Sequence, residues 1–566
     1  MDGGDLNLAC AWALVDGLVG GGVRHACLSP GSRSTPLALA LARHPSIAVH
    51  VHLDERSAGF FAVGLARASR EPVAIACTSG TATAELMPSV VEASQSRLPL
   101  LVLTADRPPR LRGTGANQTI DQVGLYGAYA REDLDLPVPE AAGQEAWWRQ
   151  AAREALEAAF GDPVGPVHVN CPFEEPLSPS LDVELPDPSG EALSLPPRPE
   201  ADLTAEESDR LAELVSGARG AVVLGGTPDD VTDVAASWSG TFGWPVLAEP
   251  TSNTRMPGTA LLAGQGLIAD GAWSAAHRPD LVIQLGAAPT TRATQAFVAS
   301  AERLVVADRW HLDPDPERAA TWRLAVDAEV LTGALQGRPV HVLAAPDDWT
   351  SSWADADGKV RTALDGFLDA IDEPFEPRIA RDVAACVPGG SALFVGNSTP
   401  VRDLDLTMAP RAGLRVVANR GASGVDGLAS TALGVAAAGR GPTVALLGDL
   451  SYLYDVGTIV WNARRGVGAT LVIVNNGGGE VFSLLPQREL PEHNELFVTP
   501  HGTDLGALTR AAGAGHTLVE RADELTPAVL AAIGSGGLQV VEVVVDAESS
   551  LVRRAELRSA IAAGLA

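Results

Sequence analysis

Lysine is almost missing from this chain: Lys359 is the single one among 41 basic residues, which face 70 acidic ones for a formal charge of −29. That balance excludes nucleic acid as a partner, because binding to a phosphate backbone needs a basic surface. Every other fixed cation is an arginine, the side chain suited to bidentate recognition of carboxylates, so an anionic ligand must find a local arginine cluster. Cysteine is scarce as well. Cys10, Cys27, Cys77, Cys171 and Cys386 are far apart and form no CxxC pair, which excludes a disulfide framework and a thiolate metal site and reads as five reduced, buried thiols. No apolar run is long enough to span a membrane. The N-terminus, MDGGDLNLACAWALV, has no basic stretch ahead of its apolar residues, unlike a secretory signal. A cytoplasmic protein with no membrane insertion is therefore expected. There is no short-period repeat.

What is present is the composition of a globular protein, 46% hydrophobic and 20% charged over 566 residues, with room for roughly three or four domains of ordinary size. Short aliphatic runs such as IAVHVHL (Ile47 to Leu53), PVAIAC (Pro72 to Cys77) and LPLLVLT (Leu98 to Thr104) alternate with Ala/Leu-rich helical patterns. This rhythm predicts an α/β fold of doubly wound parallel sheets. Two stretches interrupt it: the proline- and acid-rich segment from Glu174 to Thr204, read as an extended linker, and AAPDDWTSSWADADG from Ala344 to Gly358, read as irregular. They delimit three units, about 1–180, 205–340 and 375–566.

In the third unit, TVALLGDLSYLYDVGTIVWNARRGVGATLVIVNNGGG reads as strand, turn, helix, strand, turn. A right-handed βαβ connection brings Asp449 and the pair Asn475–Asn476 to the same carboxyl edge of the sheet, where open α/β folds bind ligands. A carboxylate, an amide oxygen and a backbone carbonyl are hard oxygen donors that suit Mg²⁺ when phosphate oxygens complete the shell. A helix starting at Gly448–Asp449–Leu450–Ser451 would aim backbone N–H groups at a phosphate. The pattern is that of a site for a metal-bridged diphosphate.

GDLS followed by NN, with 25 residues between Asp449 and Asn475, resembles the thiamin-diphosphate motif, with Leu450 in place of its third glycine. The GDLS form is similar to that of the 2-succinyl-5-enolpyruvyl-6-hydroxy-3-cyclohexene-1-carboxylate synthase family (MenD; SEPHCHC synthases below). Further stretches resemble the same family: LSPGSRSTPL from Leu28, VHLDERSAGFFAVGLA from Val51, FVGNSTPVRDLD from Phe394, ANRGASGVDGLAST from Ala418 and NNGGGEVFSLLP from Asn475. The middle unit gives the weakest match.

The resemblance implies pyrimidine-binding, central and diphosphate-binding domains in that order, and thiamin diphosphate with Mg²⁺ or Mn²⁺ as cofactors. It implies a transferase of menaquinone biosynthesis that joins 2-oxoglutarate, with loss of CO₂, to isochorismate by 1,4-addition. Glu55 would hydrogen-bond the aminopyrimidine, and Val425 would hold the cofactor in its bent shape. Gly448, Leu450 and Ser451 would line the diphosphate. Asp449 and Asn476 would ligate the metal through side chains and Gly478 through its carbonyl, with Gly477 and Gly479 bending the chain. Arg33, Arg107, Arg292, Arg402 and Arg420 would bind the two dicarboxylates, although Thr291 stands where relatives can carry lysine. Ser32, Gln118 and Ser398 would add neutral hydrogen bonds; Phe482 and Leu485 would form an apolar wall. Glu55, Arg33, Arg402, Arg420 and Gln118 are the implied catalytic set. Active sites would lie between subunits of a homodimer or homotetramer, and Glu480 would point to solvent or pair with an arginine.

Two other readings stay open from the residues alone. Another thiamin enzyme, of the acetolactate synthase or benzoylformate decarboxylase type, would share the metal motif without needing several arginines. A nucleotide-binding or regulatory module is suggested by AVVLGG (Ala221 to Gly226) and DLVIQLGAAP (Asp280 to Pro289), but no GxGxxG follows and no ribose-binding acid is well placed.

Overall fold

A computed structural model describes residues 2–195, 201–310, 313–462 and 465–566. Within them, three all-parallel sheets follow one another along the chain. The first contains β1 (His25–Leu28), β2 (Ala48–Val51), β3 (Val73–Cys77), β4 (Leu100–Asp106), β5 (Asp133–Asp135) and β6 (Val167–Pro172), in the order β2-β1-β3-β4-β6-β5. The second contains β7 (Gly220–Leu224), β8 (Val246–Ala248), β9 (Leu281–Leu285), β10 (Arg303–Ala307) and β11 (Trp322–Leu324), in the order β11-β10-β9-β7-β8. The third contains β12 (Ser391–Val395), β13 (Leu414–Val417), β14 (Thr443–Gly448), β15 (Ala469–Asn475), β16 (Gly515–Val519) and β17 (Leu538–Val544), in the order β13-β12-β14-β15-β17-β16. The first and third sheets thus share one topology. Their central strands are buried along their length, as in VAIAC of β3 and LLVLTAD of β4. Parallel strands covered by helices on both faces read as continuous apolar runs for that reason.

The expected linker is irregular in its described part; residues 196–200 lie outside the described residues. It lies along the Gly3–Gly20 helix, where Ser180 donates to Asp5 and the Ser189 N–H to Asp16. The second expected irregular stretch is different. Residues from Asp347 onward begin a 23-residue helix, Asp347–Asp369. Its Asp and Ser residues suggest a loop, but most occupy the outer face and first turn, while buried Asp357 accepts the N–H groups of Leu262 and Ala263. Trp349, Trp353, Val360, Leu364 and Leu368 recur at helical spacing and bury themselves in the middle core, a period that outweighs local composition. Leu557 and Ile561 of the final helix, Ala547–Leu565, complete the same core.

The first and third units share a core. Sheet residues Val73, Ile75 and Val102 and Phe394, Ala445 and Leu471 belong to one apolar cluster, joined through the Glu55–Ser69 and Leu428–Ala437 helices. These helices cross at glycines: a Cβ on Gly64 would lie 2.1 Å from the Thr431 carbonyl oxygen, and one on Gly434 2.1 Å from that of Phe61. Backbone-to-backbone contact leaves no side chain to repack, so Gly64→Val should destabilise the protein by about 3 kcal/mol or more. Thermal unfolding, with soluble yield as a second readout, checks this; an unchanged melting temperature would show that the crossing is not tight.

Candidate active site

The order of the third sheet reverses between β12 and β14, and ligands bind at such a switch point, beyond the carboxyl ends of the strands. The chain leaving β12 is Gly396–Asn397–Ser398, Asp449 follows β14, and Asn476 follows the neighbouring β15. Asp449 is only 2% exposed. Its Oδ1 accepts the Leu450 N–H at 2.6 Å and its Oδ2 the Gly477 N–H at 2.8 Å, with His501 Nε2 at 3.3 Å. Burial pushes its carboxyl above the ordinary range despite those bonds; a cation beside it would relieve that penalty.

Gly477 has φ 86°, the left-handed conformation that lets its N–H meet Asp449. Gly479, expected to bend the chain as well, has an ordinary φ of −79°. Its need is for space, since a Cβ there would lie 2.7 Å from the Phe497 carbonyl oxygen, and one on Gly478 2.4 Å from that of Val498. The Asn476 amide nitrogen donates to Glu376 at 3.4 Å, leaving the amide oxygen as its other pole. The Gly478 carbonyl accepts from the Glu480 N–H at 3.0 Å and keeps a second lone pair. Among the described residues no three His, Cys, Asp or Glu side chains converge on a possible metal position. The donors here are instead one carboxylate, one amide and one carbonyl, a set that fits a hard divalent cation.

The single helix expected after GDLS is two short ones, Asp449–Tyr454 and Val456–Asn462. Buried Asp455 stands at the break, its carboxylate accepting the N–H groups of Gly427 (3.1 Å) and Ser430 (3.0 Å) and paired with Arg56 at 3.4 Å. A Cβ on Gly448 would meet nothing within 4 Å, so that approach is open, while Ser451 is buried and Leu450 partly so. The loop Arg420–Gly427 is held at both ends. Glu92 of the first unit accepts the N–H groups of Gly421 (3.0 Å) and Ala422 (2.7 Å), and Gly427 lies against the Phe60 ring, where a Cβ would approach to 1.9 Å. Between them Val425 is 45% exposed, which rules out a core-packing role.

The first sheet repeats the arrangement. Ser32 and Arg33 follow β1, Ser79 and Gly80 follow β3, and Arg107 follows β4. Arg33 is buried; it donates to the Phe173 carbonyl at 2.9 Å and pairs with Glu175 at 3.3 Å, while its buried Nε–H has no partner among the described residues. Arg107 donates to the Ser79 hydroxyl and to the Gln118 carbonyl (2.9 Å), and the Gln118 amide donates to Ser79 O at 2.9 Å. Burial, then the charge of nearby Arg33, lowers the pKa of Arg107. Ser32 is exposed, and its carbonyl is taken by Thr35. Glu55 opens the Glu55–Ser69 helix, half-buried, and burial above all, with Asp54 and Glu85 adding, raises its pKa.

A second arginine cluster lies in the third unit. Arg402 is exposed and donates to the carbonyls of Asn397 (3.0 Å) and Ser398 (2.5 Å). Arg420 is partly buried and donates to no group among the described residues; burial lowers its pKa, Glu249 opposes that, and Arg402 adds to it. Arg292 is exposed at the start of the Arg292–Ser300 helix, and buried Thr291 before it caps that helix by accepting the Thr294 N–H at 3.3 Å. Phe482 packs on Phe497 with ring centroids 5.7 Å apart, and Leu485 is partly buried. Glu480 is partly exposed and accepts the Ser483 hydroxyl at 2.5 Å, with no ion pair to an arginine among the described residues.

Residues 9–125 match the model of the thiamine pyrophosphate enzyme N-terminal TPP binding domain, and residues 408–543 that of the C-terminal TPP binding domain. Over 99% of both chains, the protein is 44% identical to the 2-succinyl-5-enolpyruvyl-6-hydroxy-3-cyclohexene-1-carboxylate synthase of Thermobifida fusca (strain YX). The synthases of that name from Chloroflexus aurantiacus (39%, 94% of this chain and 92% of the relative) and Myxococcus xanthus (39%, 99% and 98%) are similar over nearly the same span. The chain belongs to the SEPHCHC synthase family. Like its family, it is a thiamin-diphosphate-dependent enzyme with both cofactor-binding domains present.

In this SEPHCHC synthase family member, residues outside the expected motifs also shape the site. Glu376, in FEPRIAR, orients Asn476 and accepts from the Ser550 hydroxyl, while Arg554 beside it forms a two-bond pair with Asp403 at 2.6 and 2.7 Å. His501, Glu92 and Asp455 are contacts across long sequence separations, for which no local pattern is a signal. The five cysteines are free, four buried and Cys386 partly exposed rather than buried. No described helix is long and apolar enough to cross a membrane. Because Val425 is exposed and Leu433 lies in the core, Val425→Ser should change stability by no more than about 0.5 kcal/mol, whereas Leu433→Ala should cost about 2–5 kcal/mol. Denaturant unfolding of both checks this; equal losses would place Val425 in the core after all.

Proposed function

We propose that the protein is itself a SEPHCHC synthase, joining 2-oxoglutarate, with release of CO₂, to isochorismate. The observation that carries this reading is the pairing of a buried, metal-ready Asp449 with two arginine clusters at sheet switch points, in a chain whose full-length relatives bear that synthase name. The three units would then serve as pyrimidine-binding (1–180), central (205–340) and diphosphate-binding (375–566) domains.

Thiamin diphosphate, when bound, supplies the electron sink that lets a 2-keto acid lose CO₂ and the remaining unit act as a nucleophile. The chain's own residues do the rest. Asp449, Asn476 and the Gly478 carbonyl would hold Mg²⁺ or Mn²⁺ against the diphosphate, beside Gly448, Leu450 and Ser451. Val425 would present an apolar surface to the cofactor. Glu55, with its raised pKa, is suited to share a proton with a ring nitrogen. Arg33, Arg107 and Gln118 on one edge, and Ser398, Arg402 and Arg420 on another, bind carboxylates and orient the two substrates, with Ser32 and Arg292 at the margins. Phe482 and Leu485 exclude water.

A second copy of the chain is part of this reading. Arg56, next to Glu55, donates to Tyr454 O at 3.0 Å, which sets the start of the Glu55–Ser69 helix beside the end of the Asp449–Tyr454 helix. Leu53, Tyr454 and Val460 nearby are 67%, 52% and 52% exposed, an apolar surface suited to a partner subunit. We therefore favour a homodimer or homotetramer with the Glu55 of one subunit completing the Asp449 site of another, in the cytoplasm.

The deciding experiment is CO₂ release by the purified protein with Mg²⁺ and thiamin diphosphate, with both substrates and with each omitted. Turnover requiring 2-oxoglutarate and isochorismate together is expected; turnover of pyruvate alone would favour an acetolactate synthase-type enzyme. Glu55→Gln should abolish turnover while calorimetry still detects cofactor binding, and wild-type rates would remove Glu55 from its role. Asp449→Ala should lose metal-dependent cofactor binding in the same calorimeter; retained affinity would place the metal elsewhere.

A further inference from the structure

Arg107 and Gln118 meet at one side chain, that of Ser79. Ser79 follows β3, Arg107 follows β4, and Gln118 stands 11 residues beyond Arg107. Ser79 is fully buried. A serine hydroxyl has one proton to donate and lone pairs to accept with. Here the proton goes to the Gln118 carbonyl at 3.1 Å, and a lone pair accepts from Arg107 Nη1. The same Nη1 donates to the Gln118 carbonyl at 2.9 Å, which closes a triangle, and the Ser79 carbonyl accepts the Gln118 amide at 2.9 Å.

The backbone around this triangle is shaped to allow it. Gln118 has φ 55°, a left-handed conformation uncommon for a residue with a Cβ. Two donors on its carbonyl and its own side chain on Ser79 hold it there; such conformations persist where the surroundings over-determine them, and they cluster at ligand sites. Gly80 has φ 83°, and a Cβ there would lie 3.0 Å from Gln118 Cγ. Buried Gln122 accepts the Gly80 N–H at 3.4 Å and donates to Asn170 Oδ1 at 2.7 Å and Ala105 O at 3.1 Å, tying the same turn to β6 and β4.

What the triangle leaves open is as specific as what it uses. Of the Arg107 guanidinium, only Nη1 is hydrogen-bonded among the described residues. Nε and Nη2 are left, the edge that grips a carboxylate with two parallel bonds. Gln118 gives one amide N–H to Ser79, which fixes the orientation of the group and leaves its oxygen and second N–H.

We propose that Ser79 is a positioning residue for substrate binding: its hydroxyl and carbonyl set Arg107 and Gln118 in one arrangement, so that the Nε–Nη2 edge and the Gln118 amide are presented together to one dicarboxylate. This rests on the reading above that Arg107 and Gln118 bind a dicarboxylate. Ser79, being buried, acts through these two partners.

The test is steady-state kinetics of the holoenzyme. Ser79→Ala removes the hydroxyl but leaves Arg107 bonded to the Gln118 carbonyl, so neither partner is orphaned and the fold should hold. The variant should raise KM for one dicarboxylate about tenfold while kcat stays within about threefold. The other substrate's KM, the thiamin diphosphate affinity by calorimetry and the melting temperature should stay as in the wild type, whereas a loosened fold would move all three. In an Arg107→Ala background the same substitution should add no more than about threefold, because its main target is gone. Unchanged KM for both substrates in a folded Ser79→Ala enzyme, or a further full tenfold rise in the Arg107→Ala background, would overturn the proposal. Should Ser79→Ala fail to fold, Ser79→Cys, which keeps the shape and weakens both hydrogen bonds, is read on the same KM: a rise supports the role, and no change overturns it. A wild-type enzyme that turns over neither dicarboxylate would sink the functional reading and this proposal together, whereas an active wild type with an indifferent Ser79→Ala sinks the proposal alone.

Discussion

The glycine-on-glycine crossing of the Glu55–Ser69 and Leu428–Ala437 helices is the constraint on which the rest of the molecule depends. With Cβ positions on Gly64 and Gly434 only 2.1 Å from opposing carbonyl oxygens, the two backbones pack directly on each other, and two sheets far apart in sequence share one core. Everything near the crossing inherits its precision. Arg415 and Arg440 of the third unit donate to Ala68 O (3.1 Å) and Ser69 O (3.0 Å) at the carboxyl end of the Glu55–Ser69 helix, where cations are favoured by the helix dipole. At its other end Arg56 reaches Asp455, and Glu92, paired with Arg67 in the helix's last turn, holds the Arg420–Gly427 loop. The loop that carries Arg420 and Val425 is thus shaped by the first unit although it belongs to the third.

Electrostatically, the site is built from groups left incomplete. Among the described residues, Asp449 is a buried carboxylate with His501 but no Arg or Lys against it, Arg33 has a buried N–H without a hydrogen-bond partner, and Arg420 donates to no acceptor. In a low-dielectric interior each is costly, and together they match a divalent cation and carboxylate ligands. A chain with a formal charge of −29 repels anions at long range, so local clusters of arginine have to do the capture.

Much of this was legible in the residues. The alternation of aliphatic runs and helices gives three parallel α/β units because buried parallel strands need continuous hydrophobic sequence. GDLS and NNGGG point to a diphosphate site because both leave adjacent strands at the same edge. The failures have equally specific causes. AAPDDWTSSWADADG looks irregular because its polar residues dominate a local view, yet Trp349, Trp353 and Val360 keep helical spacing. The helix after GDLS breaks at Asp455 because a distant backbone, that of Gly427 and Ser430, claims its carboxylate. Gly479 is needed for the close passage of Phe497 rather than for a turn.

By itself, then, the sequence determined the class of fold, the order of its units and the residue types proposed to meet cofactor and substrate, since those depend on short-range periodicity and on chemistry carried by a few side chains. The tertiary structure alone decided which of those side chains are buried, which are already satisfied and which are left open. That division has a physical reason. Burial and pairing are set by elements hundreds of residues apart, as Glu92 with Gly421, Asn253 with Val416 and Gly64 with Gly434 illustrate. The shared topology of the first and third sheets belongs to the same category: it is a relation of strand order in space, with no short-period repeat in the residues to announce it.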